Sequence, residues 1–375
     1  MPRWEKSATS GEPILMLDEI NSFTLEAIAR CFLGDYAAEH LDEISVLLPA
    51  LAEGLVSIPR RMPWPLNSLP AFAFGQSMDS RESFREVLYG VLQERKAAMS
   101  SNNASGETRR RAGVLDTLLT MQKEQVDTGG AKEGQVVLDD DFVIDNVINA
   151  LFAGYHTTGV SLTRVLQLLG SPDSKKGLVE QLIKEINRNV DTRSEKLDDG
   201  VSNSAVKPAK GIFRAFPLLD AVLLESFRLY PSVAAVMRTT VRDIEYNGYD
   251  IPAGTKVQWN LLGAFRAASA YPDPEKFCPF RFLHRGTDDD GDQEVSPSSD
   301  YMPTKKDQER PQMFGFGKHM CPGRELAKLE MLLFLRSFLP KFNYDLVERQ
   351  SFKGKLPTNE PKDKLRVVLK PRTTS

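Results

Sequence analysis

The feature that most constrains this 375-residue chain is a helical stretch from about Asp141 to Leu169. Three acids at Asp139, Asp140 and Asp141 favour its N-terminus by complementing the helix dipole, and Gly170-Ser171-Pro172 stops it. At 1.5 Å per residue its roughly 29 residues would span about 43 Å, enough to cross a whole domain. Its interior is mostly apolar, so the helix is expected to be buried.

Helical periodicity dominates the rest of the chain. Segment 14–33 places Leu15, Leu17, Ile20, Phe23, Leu25, Ile28 and Phe32 at the spacing of an amphipathic helix, and 82–99 reads as another. Ser171-Pro172 reads as both stop and start, an N-cap with proline at the first position of a helix carrying Leu178, Leu182, Ile183 and Ile186. Further helices are expected from Leu218 to Tyr230, ending at Pro231, and from Arg324 to Leu339, ending at Pro340. Strand signals are few: Ile244 to Ile251 alternates around Asn247-Gly248 as a hairpin would, and Val257 to Leu261 and Leu365 to Leu369 are candidates. Loops are expected at 100–112, 123–138, 191–212 and 284–311. The last holds six acids and no base between Asp288 and Asp300, which reads as a solvated insertion. The fold class is mainly α with small β-sheets.

Charge and composition narrow the function. With 48 Lys and Arg against 51 Asp and Glu, the chain is not a basic nucleic-acid binder, and 41% hydrophobic residues exclude a disordered one. No window reaches 18 consecutive apolar residues, and MPRWEKSATSGEP has neither an apolar signal core nor an Arg-rich amphipathic stretch. Cys31, Cys278 and Cys321 are too few and too scattered for a disulfide framework.

The sharpest chemical signal is Phe314 to Gly323, FGFGKHMCPG. Gly315 and Gly317 let the backbone turn tightly and approach a flat ligand. Cys321 follows, at the start of an apolar helix, where the dipole and unpaired N–H groups favour a thiolate. On these grounds alone Cys321 is a nucleophile, a redox sensor, a metal ligand or a small buried hydrophobe.

The segment resembles the haem loop of the cytochrome P450 monooxygenases, F-x-x-G-x-x-x-C-x-G. The resemblance implies haem b as cofactor, Cys321 as the axial ligand to iron, Phe314 as the ring packed on the thiolate side, and Gly315, Gly317 and Gly323 as loop-shaping residues. Two residues before the cysteine most members carry an arginine that pairs with a haem propionate. Here His319 stands in that place, a donor whose charge varies with pH.

Three further motifs agree with the family in order and spacing. Glu225 and Arg228 form an E-x-x-R whose charges share one helix face, and PEKFCPFRF, Pro274 to Phe282, is similar to the family's P-E-x-F-x-P-x-R-F. The resemblance implies a buried structural triad of Glu225, Arg228 and Arg281, with Cys278 as packing. Ala153-Gly154-Tyr155-His156-Thr157, in the middle of the long helix, is similar to the A-G-x-x-T that marks the distal side of the haem. There helical bonding is loosened and Thr157 is implied to hydrogen-bond dioxygen and relay protons, with His156 handing on a proton from solvent. Arg238, in SVAAVMRTT, aligns with an arginine that reaches a propionate. Val233 to Val236, with Ala150, Phe152 and Ala153, would line an apolar pocket suited to a lipophilic substrate. His40 and His284 read as surface or loop residues.

The resemblance implies a single domain over 1–375 that lacks the N-terminal portion of the fold, about 100 residues, with 284–311 as an acidic insertion. Association with a membrane is expected only through that portion. PWPLNSLPAFAF, Pro63 to Phe74, is similar to a segment of the retinoic acid, brassinosteroid and abscisic acid hydroxylases, which points to a sterol, isoprenoid or retinoid-like substrate. The implied reaction inserts one oxygen atom from O2, with electrons from an NADPH-dependent flavoprotein reductase or a ferredoxin. Lys318, Arg324 and Lys328 flank the cysteine as a docking face or as ordinary solvated surface. Two alternatives stand beside this: a hydroperoxide-rearranging haem-thiolate isomerase, against which Thr157 argues, and a truncated, non-catalytic haem-binding remnant.

Overall fold

The computed structural model describes residues 2–56, 73–100, 113–131, 135–172, 174–194, 215–283, 312–347, 354–355 and 358–372. The acidic insertion at 284–311, most of Pro63 to Phe74 and most of the 191–212 loop lie outside them. Ten α-helices are described: α1 (Pro2–Ser10), α2 (Met16–Leu33), α3 (Ala37–Val56), α4 (Ala73–Ser100), α5 (Gly113–Asp127), α6 (Asp140–Leu169), α7 (Leu178–Ser194), α8 (Pro217–Leu229), α9 (Leu261–Ala264) and α10 (Arg324–Phe338). Nine short strands accompany them: β1 (Ile14–Leu15), β2 (Ala235–Thr239), β3 (Ile244–Tyr246), β4 (Tyr249–Ile251), β5 (Lys256–Asn260), β6 (Phe342–Leu346), β7 (Gly354–Lys355), β8 (Glu360–Pro361) and β9 (Arg366–Pro371). None of the described helices is long and apolar enough to cross a membrane.

Contacts gather these elements into two compact units, Ile20–His156 and Met1–Glu19 with Thr157–Ser375. Within Ile20–His156 the core is helical, built from Ile20, Leu25, Ile28, Leu48, Phe84, Leu88, Leu92, Val143, Ile144 and Val147. The acids at the start of α6 do more than favour its dipole. Asp139 caps the helix by accepting the Phe142 N–H at 2.7 Å. Asp140 pairs with Lys96, and Asp141 and Asp145 both pair with Arg85, so α4 is tied to α6 by charge.

In the other unit α10 is the hydrophobic centre. Phe334 and Phe338 are buried, and Trp4 of α1 meets both edge-on at 5.5 and 5.6 Å. A three-stranded antiparallel sheet ordered β1-β9-β6 is formed, with Ile14 opposite Val367 and Leu346 opposite the same residue from the other side. β2 and β5 pair antiparallel, Arg238 opposite Val257. The β3–β4 hairpin turns at Asn247 and Gly248 with φ of 51° and 80°, both positive as a two-residue I′ turn requires.

Three sequence expectations are corrected, the first being the loop read as 123–138, whose start is helical because α5 runs on to Asp127. The helix read as 14–33 begins at Met16, because Ile14 and Leu15 are drawn into β9 as a strand. Ser171-Pro172 does not start a helix: the described residues 170–172 and 174–177 are non-helical, with the Ser174 N–H on the Ser171 carbonyl and the Leu178 N–H on the Lys175 carbonyl. Gly177 at φ 80° blocks the helical path there, so α7 starts at Leu178.

Candidate functional site

The 314–323 loop is shaped by its own backbone. The Cys321 N–H donates to the Phe314 carbonyl at 2.8 Å, closing the loop on itself, and Gly317–His319 form one 3-10 turn inside it. Gly315 and Gly317 have φ of 71° and 66°. A Cβ on Gly315 would meet the His319 carbonyl oxygen at 3.5 Å, an ordinary contact, so the left-handed backbone and not a lack of space calls for glycine. Gly323 is the N-cap of α10, which leaves the exposed Cys321 thiol just ahead of the first helical N–H groups.

Phe314 anchors the loop to α8, edge-on to the buried Phe227 with ring centres 5.7 Å apart. Phe316 leans on Trp259 of β5 at 5.4 Å yet is 67% exposed, and Met320 is 43% exposed. His319 and Arg238 are exposed as well. Arg238 Nη1 donates to the Met237 carbonyl at 2.8 Å.

α8 carries a wholly buried ion pair. Arg228 donates to Glu225 through Nε at 2.8 Å and Nη2 at 2.9 Å, and neither side chain is exposed. The remaining donors of Arg228 go to the Phe265, Pro274 and Lys276 carbonyls. Glu225 also accepts the Cys278 N–H at 2.8 Å and Arg281 Nε at 3.1 Å. The two charges therefore hold the 265–281 stretch by its main chain, with all five Arg228 N–H donors engaged, as a buried pair requires. α8 is itself held at its start by Glu185 of α7, which accepts the Leu218 and Leu219 N–H groups. Burial pushes the Glu185 carboxyl up, against the pull of those bonds.

Thr157 and His156 are half-buried on α6. The Thr157 carbonyl accepts from Ser161 Oγ at 2.8 Å, and the His156 ring lies 5.6 Å from that of Tyr155. The structure thus gathers Phe314, Gly315, Gly317, His319, Cys321 and Gly323 into one loop, and Glu225, Arg228 and Arg281 into one cluster. Arg238 stands on β2. Of the cations flanking the thiol, Arg324 pairs with Glu325 at 2.7 Å and Lys328 with Asp220 at 2.6 Å, while Lys318 is exposed.

Sequence reading missed a second buried cation. Arg164 on α6 is 0% exposed, with Nε and Nη2 on the Asn359 carbonyl and its guanidinium 4.8 Å from the Tyr230 ring centre. Burial pushes it down to about 10. A charged residue inside an apolar helical run was the signal available for it.

The donor set bears on the ligand. Among the described residues no three His, Cys, Asp or Glu side chains converge where a bare ion would sit. A lone thiolate suits a metal that brings its other ligands with it, as a porphyrin does. Exposed Phe316 and Met320 beside the thiol offer apolar cover for a flat macrocycle, and exposed Arg238 and His319 offer partners for its carboxylates. These residues fit haem.

Comparison with known proteins agrees. A family profile described as Cytochrome P450 matches residues 1–374. The (1S)-1-hydroxy-luvungin A synthase of Citrus sinensis is 28% identical over 357 residues, 95% of this chain and 62% of the relative. Abscisic acid 8'-hydroxylase 2 of Arabidopsis thaliana is 29% identical over 354 residues, 91% and 59% respectively. The chain thus spans about three fifths of the curated relatives it matches. A retinoic acid-bound cyanobacterial cytochrome P450 superposes with a TM-score of 0.70 at 23% identity, over 99% of this chain and 74% of that one, and shares the fold.

Proposed function

The chain belongs to the cytochrome P450 family, and on that footing we propose that it serves a haem-thiolate monooxygenase acting on a lipophilic terpenoid, of the sterol, isoprenoid or retinoid-like class. The observation that carries the reading is the lone exposed thiol of Cys321, set at the start of α10 by a loop whose two glycines take left-handed angles.

Haem b, when bound, supplies the iron at which dioxygen is activated for insertion of one oxygen atom into a C–H bond, the other leaving as water. Cys321 would supply the thiolate ligand to that iron, and the Phe314–Phe227 contact fixes its loop on α8. The Glu225–Arg228–Arg281 cluster is structural, since its charges are spent on main-chain groups and on each other. Arg238 and His319, both exposed, would hold its propionates. Thr157 holds a proton at its hydroxyl, and His156 replenishes it from solvent. Val233, 39% exposed, and Val236 on β2 contribute apolar lining. The substrate class is supported by the relatives, a luvungin-type synthase and an abscisic acid hydroxylase. An NADPH-dependent flavoprotein reductase or a ferredoxin supplies the electrons. With Arg324 and Lys328 already paired, Lys318 is the cation most available to an acidic donor.

The test is turnover. With a reductase and NADPH, abscisic acid or a triterpenoid should gain one oxygen atom whose isotope label follows dioxygen and not water. Label from water, or conversion of a hydroperoxide without NADPH, would contradict the reading.

A further inference from the structure

Thr24 is a polar residue in the apolar row of α2, 0% exposed and flanked one turn away on either side by the buried Ile20 and Ile28. Its hydroxyl lies 2.8 Å from the carbonyl oxygen of Tyr155 on α6. Two carbonyls of its own helix, Ile20 and Asn21, stand farther off at 3.1 and 3.2 Å, so the one hydroxyl proton is best placed for Tyr155.

The neighbouring residue explains how α2 comes so close. A Cβ on Gly154 would sit 2.9 Å from both Cγ1 and Cδ1 of Ile28, too near for any real side chain. Gly154 therefore admits Ile28, and Ile28, four residues after Thr24, brings the threonine onto the next carbonyl of α6.

That carbonyl belongs to the peptide group joining Tyr155 to His156. A helical carbonyl ordinarily accepts from the N–H four residues on, and a second donor on it draws the peptide outward and weakens the ladder locally. We propose that Thr24 is a positioning residue: its hydroxyl holds the Tyr155–His156 peptide turned out of the regular ladder and thereby sets where His156 and Thr157 present their side chains. The idea rests on the proton-handling role proposed above for those two residues.

Hydrogen exchange on the full chain tests the hold itself, independently of activity. Thr24→Val keeps the shape and removes the hydroxyl, so the carbonyl returns wholly to its helical partner. Amides in a peptide covering 150–160 should then exchange several-fold more slowly, while a peptide covering α8 is unchanged. Thr24→Ser should restore the wild-type rate. Loss of a merely structural contact would speed exchange instead, so faster or unchanged exchange, or a Ser variant that behaves like Val, overturns the proposal. A second arm uses abscisic acid as probe and reads product formed per NADPH consumed. Val should lower the ratio several-fold and Ser recover it, and an unchanged ratio in Val contradicts the positioning role. Should wild type leave this probe untouched, the substrate class proposed above fails, and the exchange arm still decides Thr24.

Discussion

Arg228 and Glu225 form a bidentate pair, at 2.8 and 2.9 Å, in which neither side chain reaches solvent. Arg228→Leu would strand the Glu225 carboxylate with only Arg281 and the Cys278 N–H, and would free three carbonyls. The expected cost is about 3 to 5 kcal/mol. Arg281→Met removes a single, partly exposed charge contact and should cost about 1 to 2 kcal/mol. Urea midpoints of the two variants check the order; equal losses would contradict it.

Glu330 gives the protein a pH dependence of opposite sign to that of a salt-bridged acid. It is 4% exposed on α10, its Oε1 has no hydrogen-bond partner among the described residues, and burial pushes it up to about 7 from an ordinary value near 4.5. Between those values the folded protein keeps a proton that the unfolded chain has lost. Stability contributed by this group is therefore full below about pH 4.5 and falls as pH rises through about 7, by about 3 kcal/mol in all. Glu330→Gln should be more stable than wild type at pH 8 and close to it at pH 5, read as melting temperature. A variant equally shifted at both pH values would show that Glu330 does not titrate in that window.

Lys364 and Leu365 both take left-handed backbone angles, φ 54° and 56°, and their carbonyls accept the Leu17 and Met16 N–H groups at the start of α2. The strain is held by that capping and by the burial of Leu365. Lys364 also pairs with Asp18 at 3.0 Å, but half-exposed, so the pair is worth little. Lys364→Ala loses the pair and keeps the strain, whereas Lys364→Gly loses both. The glycine variant should be the more stable of the two by about 1 kcal/mol in chemical denaturation. If the alanine variant matches or exceeds it, the turn is not strained.

Much of this was legible in the sequence, and the rest was not for identifiable reasons. The long helix was bounded to within a residue at its start, because three acids and a Gly-Ser-Pro stop are strong local signals. The E-x-x-R spacing puts Glu225 and Arg228 on one face, but the carbonyls that surround Arg228 come from 37 to 48 residues away and leave no trace in spacing. Ser171-Pro172 misled because the left-handed Gly177 overrules a sound local cap signal. Thr24 carries no signal of its own in the sequence, and only the approach allowed by Gly154 gives it a partner.

The central claim is that Cys321 is the thiolate ligand of a haem iron. The direct measurement is the absorption spectrum of the haem-loaded protein, reduced under carbon monoxide, beside that of Cys321→Ser. The account predicts the red-shifted Soret band of thiolate-ligated haem in the wild type and its loss in the variant. A wild type without that band, or a variant that keeps it, would contradict the account.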